Sequence, residues 1–272
     1  MVIHFGENID ASIQYANTAL KGFGNWFILI LLNTLMFIGV MAVCVGTVFM
    51  ILGGLSQSFD NPSTDFQTWA ILFGTGGSAL LLGLIIVLIM GILLMGLQIR
   101  VFRGGELNFA NFGRFLRDGF FGFVIAFLYM VPYILVTILT ALGPVANPVY
   151  FIFVCVIIPT LIIIASLLFE LTALVHFAKN GTFASAFQFK EIYEIILKIG
   201  VLRYIGNLCL IGLIIFAVEM ILVLIPFAGM LLFPVVLGFI LLVQSRFIAN
   251  MYETALEEPA GNETVPEEAA AE

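Results

Sequence analysis

Two acids stand where acids are costly. Glu219 lies inside Phe216-Ala-Val-Glu-Met-Ile-Leu-Val-Leu-Ile, and Glu170 follows the unbroken run Leu161-Ile-Ile-Ile-Ala-Ser-Leu-Leu-Phe. An ionised carboxylate at the centre of a bilayer costs about 2.5–3.5 kcal/mol on insertion scales. Such a group is paired, protonated or functional. Asn207 and Gln244 place amides in two further apolar runs, as do Asn33 and Gln98. Glu219, Glu170, Asn207 and Gln244 together make a candidate intramembrane polar site, as a proton-coupled acid or a narrow path would need. Plainer roles stand beside this one. The amides can bond helix to helix. Glu170 can pair with Lys179, Arg203 or Arg246, and Glu219 can be a protonated acid bonding two helices.

Little else points to catalysis. His4 and His176 are the only histidines. There is no His-Glu-x-x-His, no Gly-x-Ser-x-Gly and no P-loop. Gly74-Thr-Gly-Gly77 has no lysine beside it and suits packing. Cys44, Cys155 and Cys209 lie far apart in apolar runs, without metal or redox spacing. No metal, no cofactor and no enzymatic activity are expected.

The elements that position these residues follow from composition. The chain is 62% hydrophobic and 10% charged, against roughly 25% charged in soluble domains. A soluble fold could not hide this much apolar surface. The runs are continuous and do not alternate, so helices rather than a barrel satisfy the backbone in lipid. Six spans are expected, at 26–54, 69–99, 119–141, 150–176, 201–225 and 230–250. Residues 1–252 then form one transmembrane domain. Prolines 132, 159 and 234 could interrupt helices at a site. Gly39, Gly46, Gly83, Gly91 and Gly96 suit close helix contact.

Three amphipathic segments precede the three apolar hairpins: 7–21, 108–118 and 183–199. In the first, Ile9, Ile13, Ala16 and Leu20 share a face. In the second, Phe109, Phe112, Phe115 and Leu116 form a stripe, with Arg114 and Arg117 turned away. In the third, Asn180-Gly181 ends a span and Thr182 starts the next element. Lys190, Glu194 and Lys198 then fall at four-residue steps and can pair. All three are expected to lie in the membrane interface. The anchoring side chains are Arg100, Arg103, Arg114, Arg117, Phe183, Phe187, Phe189 and Lys190.

Charge sorts cleanly. Every base is at Lys21, within 100–117, within 179–203, or at Arg246; the opposite loops carry none. The positive-inside rule puts both termini and both long loops in the cytoplasm of a cell membrane. The net charge of −7 misleads, because seven of the seventeen acids lie between Glu253 and Glu272. That acidic tail, 253–272, is expected to be disordered. Elsewhere ten acids balance ten bases, with no basic excess for nucleic acid. The Asn262-Glu-Thr sequon falls on the same inner side and is discounted.

The span endings Arg100-Val-Phe-Arg, His176-Phe-Ala-Lys and Arg246-Phe-Ile-Ala-Asn resemble one another. They fit three parallel repeats of surface helix, span, outer loop, span. Any six-span protein with inside-positive loops would share much of this. Mitochondrial carriers are excluded, since no proline has their acid and base spacing.

Two stretches carry a family resemblance. The first is Gly96-Leu-Gln-Ile-Arg100-Val-Phe-Arg103-Gly-Gly-Glu106, leading on to Phe112-Gly-Arg-Phe-Leu-Arg-Asp118-Gly. The second is Ala173-Leu-Val-His-Phe-Ala-Lys179-Asn-Gly181-Thr-Phe183-Ala-Ser-Ala186-Phe187-Gln-Phe189-Lys-Glu191-Ile192. Both resemble the signatures of an uncharacterised prokaryotic membrane family, domain of unknown function 4013, common in archaea. The first departs from the family pattern at Gln98, near an expected aromatic, and has only Glu106 where an acidic run is usual. The resemblance implies the membrane architecture and no activity. The expected function is a membrane scaffold or accessory subunit, bound to lipid and to a membrane-protein partner or a second copy. A small-solute transporter or permease with a polar site around Glu219 is the alternative.

Overall fold

The computed structural model describes residues 4–58, 66–105, 107, 111–141, 152–225 and 227–257. Eight α-helices follow in order: α1 (Phe5–Ala19), α2 (Phe23–Ser58), α3 (Phe66–Arg103), α4 (Phe112–Ala141), α5 (Ile158–Asn180), α6 (Phe189–Ile199), α7 (Val201–Leu224) and α8 (Ala228–Glu257). A π-helical stretch, Ile152–Ile157, leads into α5, and a 3-10 turn, Phe183–Phe187, precedes α6. There is no strand among the described residues. Six helices, all but α1 and α6, are long and apolar enough to cross a membrane. The chain is thus an all-α protein built for a bilayer. α2 has 36 residues and α3 has 38. At about 1.5 Å per residue each is far longer than the roughly 30 Å of hydrocarbon, so ends protrude or the axes tilt.

Helix ends are finished by side chains and by glycine. Gly181 takes a left-handed φ of 73° and its N–H bonds to Phe177 O, closing α5. Thr182 starts the 3-10 turn with its main chain, without a side-chain cap. Asn25 Nδ2 donates to Ala19 O and satisfies a terminal carbonyl of α1. The tight turn into α8 has Phe227 at φ 58° and Gly229 N–H on Ile225 O.

α8 is the hub, packed against α1, α2, α3, α5, α6 and α7. α2 and α3 make the most extensive pair. A Cβ on Gly46 would stand 2.6 Å from Leu80 N, and one on Gly83 would stand 2.7 Å from Val43 N. Gly39, Gly46, Gly76 and Gly83 thus let the two backbones touch. The seven-residue spacing on each helix keeps the contact on one seam. Gly96 and Gly119 do the same for α3 and α4.

Both buried clusters lie at the end that carries the bases. One gathers Phe102, Tyr129, Phe177, Ile192, Ile196, Tyr204, Phe247 and Tyr252; the other gathers Ala16, Leu20, Leu29, Leu97, Phe115 and Leu242. Phe102, Phe177 and Phe247 come from the three similar span endings, which therefore converge in one core.

Five expectations change. The segment 108–118 is not a separate surface helix: from Phe112 it is the first turns of α4, continuous with the span. Asn111, at φ 63°, turns the chain, and its carbonyl accepts from Arg114 and Phe115 N–H. Residues 183–199 divide into the 3-10 turn and α6. In α1 the buried face is Asn8, Ser12 and Ala16, while Ile13 is exposed. The helix docks on a polar patch of α8, so small and amide side chains face inward. Next, α8 runs through Glu257, five residues into the expected tail, because Glu253 is ion-paired and Ala255 is buried. α4 and α8 continue through Pro132 and Pro234, and Pro159 sits in the first turn of α5. These prolines do not break a span. Segments 59–65 and 142–151, Glu106, Phe109, and residues 258–272 with the Asn262 sequon lie outside the described residues.

Candidate functional site at the charged end

Three polar clusters share this end. The first joins α3 to α4. Asp118 is buried on the second turn of α4, and Arg103 Nη1 ion-pairs with its Oδ2. Arg103 Nε also donates to Ala178 O, 2.9 Å away, capping the last turn of α5. One guanidinium thus ties three helices. Arg117 and Arg114 stand 3.7 and 4.0 Å from the same carboxylate. Arg100 lies over the Phe115 ring, 4.9 Å from its centroid.

The second cluster surrounds His176, which is buried on α5. Its Nδ1 is 2.6 Å from Tyr252 Oη, and its Nε2 is 2.8 Å from Asn180 Nδ2. Both ring nitrogens are thus engaged. Gln188 Oε1 and Glu191 Oε2 lie 3.2 and 3.4 Å from Nε2. Gln188 Nε2 in turn donates to Glu191 Oε1 at 2.7 Å. The cluster spans α5, the linker before α6, α6 and α8.

The third is a clasp on the last turns of α8. Glu253 binds Lys179, and Arg246 grips both its oxygens, at 2.8 and 3.3 Å. Arg246 also sits 5.6 Å from the Tyr15 ring centroid, and Tyr15 Oη donates to Gly105 O at 2.8 Å. Gly104 has φ +76°, and a Cβ there would meet Arg246 Nη1 at 2.8 Å. Burial pushes the Tyr15 phenol above its usual range, against a smaller opposing pull from Arg246.

The sequence-derived polar site is not drawn together. No hydrogen bond or ion pair joins any two of Glu219, Glu170, Asn207 and Gln244 among the described residues. Asn207 Nδ2 contacts Met251 Sδ at 3.7 Å. Glu219 and Gln244 are half-buried. Glu170 forms no ion pair among the described residues: Lys179 and Arg246 are committed to Glu253. Lys179 is nine residues away, roughly 14 Å along the same helix. Glu170 Oε2 is buried and has no hydrogen-bond partner among the described residues.

Of the anchoring residues, Phe183 and Phe187 turn inward. Phe183 is 5.5 Å from Phe121, and Phe187 stacks on Tyr129 at 5.9 Å. Tyr129 Oη donates to Ala186 O at 2.7 Å, fixing the turn above it. Phe189 and Lys190 are exposed. Lys190, Glu194 and Lys198 form no ion pair with one another among the described residues; exposed pairs of this kind gain little. Sequence reasoning missed Asp118 as an arginine hub and the His176–Tyr252 pair. An acid directly after Arg117, with Arg114 one turn before it, was a usable signal for the first. Nothing local pointed to the second, since 76 residues separate its members.

Residues 79–227 match the family described as protein of unknown function (DUF4013). The chain belongs to that family. The DUF4013 segment holds Arg100, Arg103, Asp118, His176 and Glu191, and so includes most of the first two clusters. It ends before α8, which supplies Tyr252 and Glu253. No curated protein and no solved structure matches the chain.

Proposed function

We propose that this DUF4013 protein is a non-enzymatic scaffold or accessory subunit of the cell membrane, with its charged end and both termini in the cytoplasm. The orientation rests on the segregation of bases to that end. The observation that carries the scaffold role is the two-sided character of α6. Ile192, Ile195 and Ile196 are buried, whereas Phe189, Tyr193 and Leu197, at four-residue steps, are exposed. A helix fixed on one side offers the other to lipid or to a partner subunit. The inward Phe183 and Phe187 hold that platform rigid. Replacing Tyr193 and Leu197 with serine should leave the thermal midpoint near the parent's; Phe189, whose ring also meets Tyr129 and Phe187, is kept. Chemical crosslinking in native membranes should then lose the larger species that the parent forms. Retention of the same crosslinked species would remove the proposal.

Transport is a second reading, favoured by the buried, unpartnered Oε2 of Glu170. Proteoliposome flux that Glu170→Gln or Glu219→Gln abolishes would support it. Flux that is absent, or unchanged by both, counts against it.

A further inference from the structure

We infer that the start of α4 is a docking surface for the headgroups of anionic phospholipids, with Arg114 and Arg117 as the direct contacts. Phe112, Leu116 and Phe120 are exposed at four-residue steps and form one apolar stripe. Hydrocarbon suits such a stripe on a helix that continues into a span. Arg114 and Arg117 flank it, with side chains 67% and 63% exposed. The carboxylate nearest them is already taken. Asp118 accepts from Arg103, and at 4.0 and 3.7 Å it is beyond hydrogen-bond reach of Arg114 and Arg117. Asp118 thus uses up none of their donors. Each guanidinium carries five N–H donors in a fork that matches phosphate oxygens.

Charge decides which lipid. The segment 100–118 has four bases against two acids, Glu106 and Asp118. α6 presents the same shape, an exposed Phe189, Tyr193, Leu197 stripe beside Lys190 and Lys198. There Glu191 and Glu194 cancel the lysines. Of the two faces, the one on α4 has the cationic excess that attracts an anionic leaflet. This inference rests on the bilayer setting and is independent of a scaffold role.

The test uses the full chain in detergent micelles doped with phosphatidylglycerol or phosphatidylcholine. Bound lipid is counted by native mass spectrometry. Phosphatidylglycerol should bind the parent more tightly than phosphatidylcholine. The R114Q/R117Q variant should lose that preference, with affinity falling roughly tenfold or more. K190Q/K198Q should keep it. Circular dichroism checks folding, and R117Q alone serves if the double variant unfolds. Equal binding of the two lipids by the parent overturns the inference. So does undiminished phosphatidylglycerol binding by the arginine variants, or displacement of that lipid by millimolar inorganic phosphate.

Discussion

Asn250 Nδ2 donates to Asn8 Oδ1 over 2.9 Å, so the last span holds the first helix by an amide pair. Asn8 Nδ2 donates in turn to Phe247 O at 3.1 Å, and Ser12 Oγ to Asn8 O at 2.7 Å. All three side chains are buried. Asn8→Leu would remove the bonds to Asn250 and Phe247 O and leave Asn250 Nδ2 only a longer contact to Ser12 Oγ, at 3.4 Å, at a cost of about 1–3 kcal/mol. The thermal midpoint in detergent should fall, and limited proteolysis should cut within α1. An unchanged digestion pattern would show that α1 is not held this way.

The α2–α3 seam gives a second outcome. A side chain on Gly83 meets backbone atoms of Val43 and Gly39 at 2.7 and 2.8 Å, which cannot swing aside. Gly83→Val should destabilise by about 3 kcal/mol, the upper range for overpacking. Gly74→Ala, on the same helix with nothing within 4 Å, is the control and should melt like the parent. SDS titration of the folded fraction distinguishes them. Equal curves would mean that the helices do not cross at these glycines.

Tyr15 makes stability depend on alkaline pH. Its folded-state pKa lies above the usual phenol value near 10, chiefly through burial. The folded state therefore keeps the proton longer than the unfolded chain does. That contribution is complete below the unfolded pKa and is lost as pH rises through the folded one. As pH rises above 10, parent protein should lose stability faster than Tyr15→Phe. The variant should also lack the hydrogen bond to Gly105 O, worth about 1 kcal/mol at neutral pH. Parallel pH curves for the two proteins would rule out a buried phenol here.

Spans were legible because hydrocarbon imposes a simple rule on runs such as Leu161–Phe169. The glycines at 39, 46 and 83 were legible too, since small residues at regular steps have few other uses inside a span. Surface helices were harder. In α1 the visible pattern was Ile9, Ile13, Ala16 and Leu20; Ala16 and Leu20 are buried, but Ile13 is exposed, and Asn8 and Ser12 join the docking face, chosen by Asn250 far along the chain. In 108–118 Phe115 is buried while Phe112 and Leu116 are exposed, so the expected stripe divides, and its helix runs straight on into the span. Amphipathicity reports which side is wet, not where a helix stops. Glu170 failed for another reason: Lys179 and Arg246 had a better-placed acid in Glu253, which looked like the first residue of a loose tail.

The gathering of nearly all tight contacts at one end has a mechanical corollary. Beyond the glycine-locked pair of α2 and α3, the far halves of the other spans carry many outward-facing leucines, isoleucines and phenylalanines, such as Leu135, Leu139, Leu213, Phe216 and Leu231. Like stems bound low in a sheaf, they can lean apart or together as the surrounding lipid thins or thickens, while the knot beneath keeps its shape.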